Sequence, residues 1–158
     1  MIDTPNILKI DAQTVAVIHI TVPREKMREV MGPGRQELME TLAAQGIAPT
    51  GPWFNHHLRI DPQTFDFEIG VPVSAKVTAA GRVKPGELPA ARVARTIFHG
   101  SYEGLGNAWG ELTRWIAEAG EKGAPSLWET YLTNTSESPD PSTWRTELTR
   151  PLVGDQEK

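Results

Sequence analysis

The chain has 158 residues and a formal net charge of −4, and 39% of its residues are hydrophobic, as expected for one soluble globular domain. Lysine and arginine are scattered rather than clustered, which argues against a nucleic-acid-binding surface, so we expect no direct DNA binding. The lack of cysteine excludes disulfides and thiol chemistry. No segment approaches the roughly 20 apolar residues of a membrane span and the N-terminus lacks a signal-peptide pattern, so we expect a cytoplasmic protein with no membrane partner.

The first part of the chain predicts one strand and one helix. Residues 7–22 contain an apolar, β-branched strand. Gly32-Pro33-Gly34 is expected to interrupt any helix that begins soon after this strand, and proline suits the first turn of a helix. The sequence therefore predicts a fresh helix from Pro33 to about Gln45, closed by Gly46. The apolar side of this helix carries Leu38, Met39 and Leu42.

Two strands and a connection follow. Residues 53–60 and 65–71 predict a hairpin around a turn at residues 61–63. In the second of these strands, apolar residues alternate with Asp66 and Glu68, which places both acids on the face away from the core. Residues 74–88 have weak signals and are expected to form a connection that includes a turn at residues 84–87.

The pattern then starts again. Residues 92–99 predict a strand, and Ser101 is a plausible N-cap for the helix that follows and that Gly120 closes. An apolar stripe gives this helix the strongest periodicity in the chain: Leu105, Ala108, Trp109, Leu112, Trp115 and Ile116. Residues 126–132 and 143–148 predict a second hairpin with a polar loop at 133–142, and the tail from Pro151 is expected to be loose.

The chain thus repeats strand–helix–strand–strand in halves of about residues 7–75 and 88–152, within one domain of 158 residues. Two such units can join into one antiparallel sheet with both helices on one face. The sequence therefore predicts an α+β fold, and a groove on the opposite face of the sheet is the expected ligand site.

The strand at residues 126–132 places an acid among aromatic residues. Side chains alternate across a strand, so Leu127, Glu129 and Tyr131 share one face, and Trp128 is expected on the other face, against the helices. From the strand alone, a solvent-exposed face and the floor of a pocket are equally compatible with this pattern. In a pocket, a carboxylate is costly unless it is paired, which makes Glu129 the leading functional candidate.

Five ordered segments resemble one known family. They are residues 67–73 (FEIGVPV), 86–90 (GELPA), 99–105 (HGSYEGL), 128–132 (WETYL) and 146–152 (TELTRPL). Together they resemble the GyrI-like (gyrase-inhibitor-like) family, also called the bacterial transcription-activator effector-binding domain. The resemblance implies the duplicated fold and a central aromatic groove that binds bulky, often cationic aromatic molecules. A glutamate on the penultimate strand forms the acidic floor of that groove in the family, and Glu129 occupies its position.

Further candidates follow from this fold. Tyr102 is expected as a wall residue at the start of the second helix, and Trp109, Trp53 and His57 are further ligand-binding candidates. Glu68 is a second acid candidate on the sheet face that lines the groove. His56 is expected at the surface or an edge, because adjacent strand residues point to opposite faces. No spacing of histidines and carboxylates indicates a metal site, and no motif indicates a cofactor.

Three functions remain open. A binding module would pair Glu129 with a ligand cation, helped by cation–π contacts. A hydrolase, similar to relatives that open cyclopropane rings in alkylating compounds, would use Glu129 as general base and Tyr131 as proton donor. A protein-interaction role, such as gyrase modulation, is the third. Many relatives carry a DNA-binding domain ahead of this unit, and the early first strand indicates a stand-alone form here.

Overall fold

A computed structural model describes residues 2–60, 63–133 and 138–153. The chain divides into two compact units. Unit 1 consists of the described residues up to Ile10 and from Ala91 onward, and unit 2 extends from Asp11 to Ala90. The elements, in chain order, are β1 (Asn6–Ile10), β2 (Gln13–Pro23), α1 (Met27–Ala44), β3 (Phe54–Ile60), β4 (Thr64–Pro72), β5 (Val83–Leu88), β6 (Ala91–His99), α2 (Leu105–Glu118), β7 (Leu127–Tyr131) and β8 (Arg145–Pro151).

Each unit is an antiparallel sheet with one helix. In unit 2 the strand order is β3-β4-β2-β5, and in unit 1 it is β7-β8-β6-β1. Both units therefore place the third strand of a strand–helix–strand–strand motif between the other two, and add one more strand beside the first. The predicted α+β class with antiparallel strands is confirmed, and so are the hairpins β3-β4 and β7-β8. The turn predicted at residues 61–63 falls largely on residues 61 and 62, which lie outside the described residues.

Each helix covers one face of its own sheet with apolar side chains. Leu38 and Leu42 of α1 pack in a core with Phe67 and Ile69 of β4, as the sequence predicts, whereas Met39 is 41% exposed. In unit 1, Leu112 and Ile116 of α2 belong to the core. The remaining apolar stripe of α2, which the sequence also predicts, is either buried in this core or packed against it: Leu105, Ala108, Trp109 and Trp115. Gly46 and Gly120 end the two helices with φ of 68° and 77°, a backbone conformation that glycine adopts without strain.

The prediction that Gly32-Pro33-Gly34 interrupts the first helix is wrong, because α1 runs through Pro33 without a break. An internal proline costs about 3 kcal/mol. Burial of Leu38 and Leu42 contributes about 1.5–3 kcal/mol each and offsets that cost. Gly34 also lets the helix approach the sheet, since a Cβ there would lie 2.8 Å from Ile69 Cδ1.

The turn predicted at residues 84–87 is instead part of β5, which pairs with β2. Proline removes a hydrogen-bond donor from a strand and is tolerated at an edge. β5 is the last strand in the order of unit 2, and Pro85 lies opposite Ala16. The end position of β5 therefore explains how a segment with turn-like composition becomes a strand.

Three smaller differences concern the ends of elements. The segment at residues 7–22 forms two strands, and β1 pairs with β6 of unit 1. The side chain of Ser101 makes no capping hydrogen bond, because a 3-10 turn at Tyr102–Gly104 intervenes before α2. The tail is ordered further than expected: Pro151 pairs with Val93, and Leu152 is buried.

Candidate functional site

The register of β7 places Glu129 on the face of the sheet that α2 covers. Glu129 lies opposite Leu148 of β8, and directly opposed residues in an antiparallel pair share a face. Leu148 belongs to the same core as Leu112 of α2. The sequence predicts that Glu129 lines a groove on the sheet face opposite the helices. That prediction is wrong, because Glu129 points toward α2.

Two neutral donors hold the Glu129 carboxylate. Trp109 Nε1 of α2 donates a hydrogen bond of 2.7 Å to Oε2, and the Tyr131 hydroxyl donates one of 2.8 Å to Oε1. Glu129 is only 9% exposed. In the part of the chain that the structure describes, no lysine, arginine or histidine forms an ion pair with it. The result is a buried carboxylate that receives hydrogen bonds but has no counter-charge from those residues.

Aromatic rings continue outward from this carboxylate. The ring of Tyr102 lies 5.6 Å from the ring of Tyr131 and 4.9 Å from the ring of Trp144. Trp144 Nε1 donates a hydrogen bond of 2.6 Å to the Ser138 carbonyl, which fixes the orientation of its indole. Tyr102 is 40% exposed and forms the outer edge of the group. We call Tyr102, Trp109, Glu129, Tyr131 and Trp144 the Glu129 cluster.

Two residues at this site, one in the cluster and one beside it, were not among the sequence candidates. Trp144 precedes β8, the strand that pairs with β7, and its aromatic character beside the Glu129 strand was an available signal. Thr146 lies opposite Tyr131 in the register and is fully buried. Its hydroxyl has no hydrogen-bond partner among the described residues. No sequence pattern indicates such an unpaired hydroxyl, because it results from the packing around it.

Trp128 occupies the opposite face from the one predicted. It lies opposite Thr149, one position along from the Glu129–Leu148 pair, and so points away from α2. It is 2% exposed and is among the largest fully buried side chains of the chain. Alternation along the strand was predicted correctly, but the assignment of the helix-covered face was reversed.

The other predicted site residues belong to unit 2. His57 is buried, and its ring contacts Phe65 and Phe67 at 5.4 and 5.6 Å, so it faces the side that α1 covers. Trp53 packs against the same core, and the guanidinium carbon of Arg35 lies 5.4 Å from the centre of its ring. The prediction that His56 lies at the surface is wrong, because the side chain is buried, with 8% exposure.

Glu68 differs from Glu129 because the chain supplies its counter-charges. His56 Nδ1 lies 3.8 Å and Lys84 Nζ 4.0 Å from its carboxylate. The contact with His56 is the main reason that the pKa of Glu68 lies below its ordinary value, and Lys84 and His19 act in the same direction against the effect of burial. At 3.8 Å the contact between His56 Nδ1 and the Glu68 carboxylate is longer than an ordinary hydrogen bond.

The family of the chain follows from its sequence taken as a whole. The family model described as "GyrI-like small molecule binding domain" matches residues 3–153. The chain belongs to the GyrI-like family. No curated protein matches this GyrI-like chain by sequence.

Solved structures share the GyrI-like fold of this chain. The crystal structure of the EcmrR C-terminal domain is 22% identical, with a TM-score of 0.84 over 95% of this chain and 97% of that one. In the cryo-EM structure of the EcmrR–DNA complex, the chain spans only 57% of the EcmrR chain and 94% of its own length, at 22% identity and a TM-score of 0.81.

Two more distant structures extend this comparison. SAV2435 bound to tetraphenylphosphonium is 12% identical, with a TM-score of 0.65 over 99% of this chain and all of that one. A hydrolase from Listeria innocua is 11% identical, with a TM-score of 0.69 over 94% of this chain and 91% of that one. At these identities the likeness shows a shared fold.

Within residues 2–60, 63–133 and 138–153, no group of three or more acids and histidines is arranged to hold a metal ion. No helix within those ranges is long and apolar enough to cross a membrane. An open cavity of about 630 Å³ lies beside β5 in unit 2, and its lining contains none of the predicted site residues.

Proposed function

We propose that the protein binds bulky aromatic cations at the Glu129 cluster of unit 1. The observation that supports this is the state of Glu129: the carboxylate is 9% exposed, accepts two neutral hydrogen bonds, and has no cation partner among the described residues. Burying a carboxylate costs several kcal/mol unless a counter-charge accompanies it. A ligand cation supplies that counter-charge.

The aromatic rings around Glu129 favour a ligand with an apolar, aromatic body. Tyr102, Tyr131 and Trp144 form a series of aromatic contacts that leads from the carboxylate to the exposed Tyr102. A cation against such faces gains about 0.5–2 kcal/mol from each ring, and an apolar body gains by leaving water. The shared fold of SAV2435, which was solved with tetraphenylphosphonium, supports a ligand of this class.

A hydrolase with Glu129 as general base is the alternative. The hydrogen bond from the Tyr131 hydroxyl favours it, since a tyrosine beside a carboxylate can donate a proton to a leaving group. Against it, both carboxylate oxygens already accept hydrogen bonds, and a general base must also hold a water within hydrogen-bond reach. Cation binding needs no such water, and we therefore rank it first.

The test uses a matched pair of ions of the same shape, tetraphenylphosphonium and tetraphenylborate, measured by isothermal titration calorimetry. We expect the cation to bind the wild-type protein more tightly than the anion. Glu129→Gln keeps the shape of the side chain and removes the charge, and it should weaken cation binding by roughly tenfold to a hundredfold. Glu147→Gln is the control, because Glu147 lies on β8 but pairs with Arg95 at 3.5 Å.

Two results would contradict the proposal. Cation affinity that is unchanged in Glu129→Gln would mean that the carboxylate does not hold the cation. The second result comes from mass spectrometry of cyclopropane-bearing alkylators incubated with the protein. A water-added product that Glu129→Gln no longer forms would favour the hydrolase instead.

A further inference from the structure

The two units repeat with a constant spacing through the helix and the strand that follows it. Gly46 and Gly120, which close the helices, are 74 residues apart. The same spacing relates the buried Leu38 to Leu112, and it relates Phe54 to Trp128, both large, fully buried aromatic residues. This spacing identifies, for each residue of the Glu129 cluster on α2 and β7, the equivalent position of unit 2.

The equivalent positions in unit 2 carry side chains of different charge. Trp109 corresponds to Arg35, Glu129 to Asn55, and Tyr131 to His57. The register agrees, because Asn55 lies opposite the core residue Ile69 as Glu129 lies opposite Leu148. Where unit 1 has a buried anion and a neutral indole donor, unit 2 has a neutral amide and a cation.

Asn55 has an unused hydrogen-bond acceptor. The residue is 1% exposed, and its Nδ2 donates to Met31 Sδ at 3.6 Å. Its Oδ1 is buried and has no hydrogen-bond partner among the described residues. Buried acceptors are almost always paired, so this oxygen calls for a donor from outside that part of the chain.

Two arginine side chains of unit 2 lie over aromatic rings. The Arg35 guanidinium lies over the Trp53 ring at 5.4 Å, and Arg24 lies over the Phe65 ring at 4.4 Å. Phe65 in turn contacts the ring of His57. A ligand cation would meet like charge here, whereas a planar anion would meet a guanidinium, the group best suited to pair with carboxylates and sulfonates.

We propose that unit 2 holds a second binding site, formed by Arg35, Trp53, Asn55 and His57, for aromatic anions that also carry an O–H or N–H donor. Arg35 pairs with the anionic group, Trp53 and His57 flank the ring, and Asn55 Oδ1 accepts the ligand's hydrogen bond. The residues of this site are different from those of the Glu129 cluster. The domain would then bind two ligand classes of opposite charge in equivalent positions of its two units.

The probe is 6-hydroxynaphthalene-2-sulfonate, with naphthalene-2-sulfonate and the N,N,N-trimethyl-2-naphthylammonium cation as comparisons. Binding is followed by calorimetry and by the indole N–H signals in a 1H–15N NMR spectrum, in which Trp53→Phe identifies the Trp53 signal. We expect the hydroxy-sulfonate to shift the Trp53 signal of the wild-type protein. The naphthylammonium cation should leave that signal in place.

Variants separate the two contacts. Arg35→Gln should lower the affinity for both sulfonates by roughly tenfold or more, and Arg35→Lys should restore part of that affinity. Asn55→Leu should remove the advantage of the hydroxylated sulfonate over the plain one. Glu111→Gln, a change at an exposed position of α2, is the control and should leave sulfonate affinity within about twofold.

The proposal is overturned if the hydroxy-sulfonate does not bind the wild-type protein, or if it shifts the Trp109 signal and not that of Trp53. It is equally overturned if folded Arg35→Gln, checked by circular dichroism, binds as tightly as the wild type. The NMR result needs only the wild-type protein and the Trp53→Phe variant that assigns its signal, so it decides the question even if the Arg35 or Asn55 variants fail to fold.

Discussion

Trp109 Nε1 on α2 donates a hydrogen bond of 2.7 Å to Glu129 Oε2 on β7, which joins the helix and the sheet of unit 1 through a buried carboxylate. Most helix–sheet contacts in this unit are apolar. One charged contact among them is costly to keep without a counter-charge, and a binding site offers a reason for keeping it.

Replacing Trp109 with phenylalanine should therefore destabilise the protein more than the same change elsewhere on the helix. Trp109→Phe removes a donor from a buried carboxylate, and a hydrogen bond to a charged group contributes about 1.5–3 kcal/mol. Trp115→Phe is the matched control, because Trp115 packs against the same core and has no such bond. We expect the free energy of unfolding in urea to fall by about 1–3 kcal/mol more for Trp109→Phe. Equal losses would mean that the bond to Glu129 contributes nothing.

Glu68 should make the stability of the protein depend on pH in the acid range. Its pKa in the folded protein lies below the ordinary value of 4.5 because of His56, Lys84 and His19. A lowered folded pKa contributes stability that is fully present above the ordinary pKa and is lost as the pH falls through the folded one. The stability difference between the wild type and Glu68→Gln should therefore be fully present above about pH 4.5 and shrink as the pH falls further.

The measurement is urea denaturation at several pH values. Glu111→Gln is the control, since Glu111 is exposed on α2, and it should show a difference near zero throughout. A Glu68→Gln difference that grows as the pH falls would contradict the assignment of the ion pairs.

Two glycines should respond in opposite ways to alanine. A Cβ at Gly70 of β4 would lie 2.9 Å from Phe54 Cε1 and 2.9 Å from Val17 Cγ1, both in fully buried side chains. Gly70→Ala should therefore destabilise the fold by about 1–3 kcal/mol through overpacking. A Cβ at Gly110 of α2 meets nothing within 4 Å, so Gly110→Ala should stabilise it by about 0.5–1 kcal/mol through helix propensity. Thermal unfolding of both variants tests this, and a neutral Gly70→Ala would contradict the close packing of Phe54.

Local pattern was enough to predict much of this protein. The 3.6-residue stripe predicts α2, because every turn of a helix returns the same face to the core. Alternation predicts that Glu129 and Tyr131 lie side by side, because a strand exposes successive residues on opposite faces, and the hydrogen bond between them agrees. The ordered segments also indicated the GyrI-like family, which the match over residues 3–153 confirms.

Long-range packing decided the rest. Alternation sorts side chains into two sets, but only the register with Leu148 and the contact from Trp109 show that the Glu129 set faces the helix. Local sequence predicts that Pro33 interrupts a helix and that Pro85 lies in a turn. The core contacts of α1 and the end position of β5 accommodate these two prolines instead. The Asn55 oxygen, which has no hydrogen-bond partner among the described residues, has no sequence signature, because its surroundings depend on which groups the folded chain brings near it. Each of these outcomes depends on contacts between residues far apart in the sequence, whose energies no local window of the chain contains.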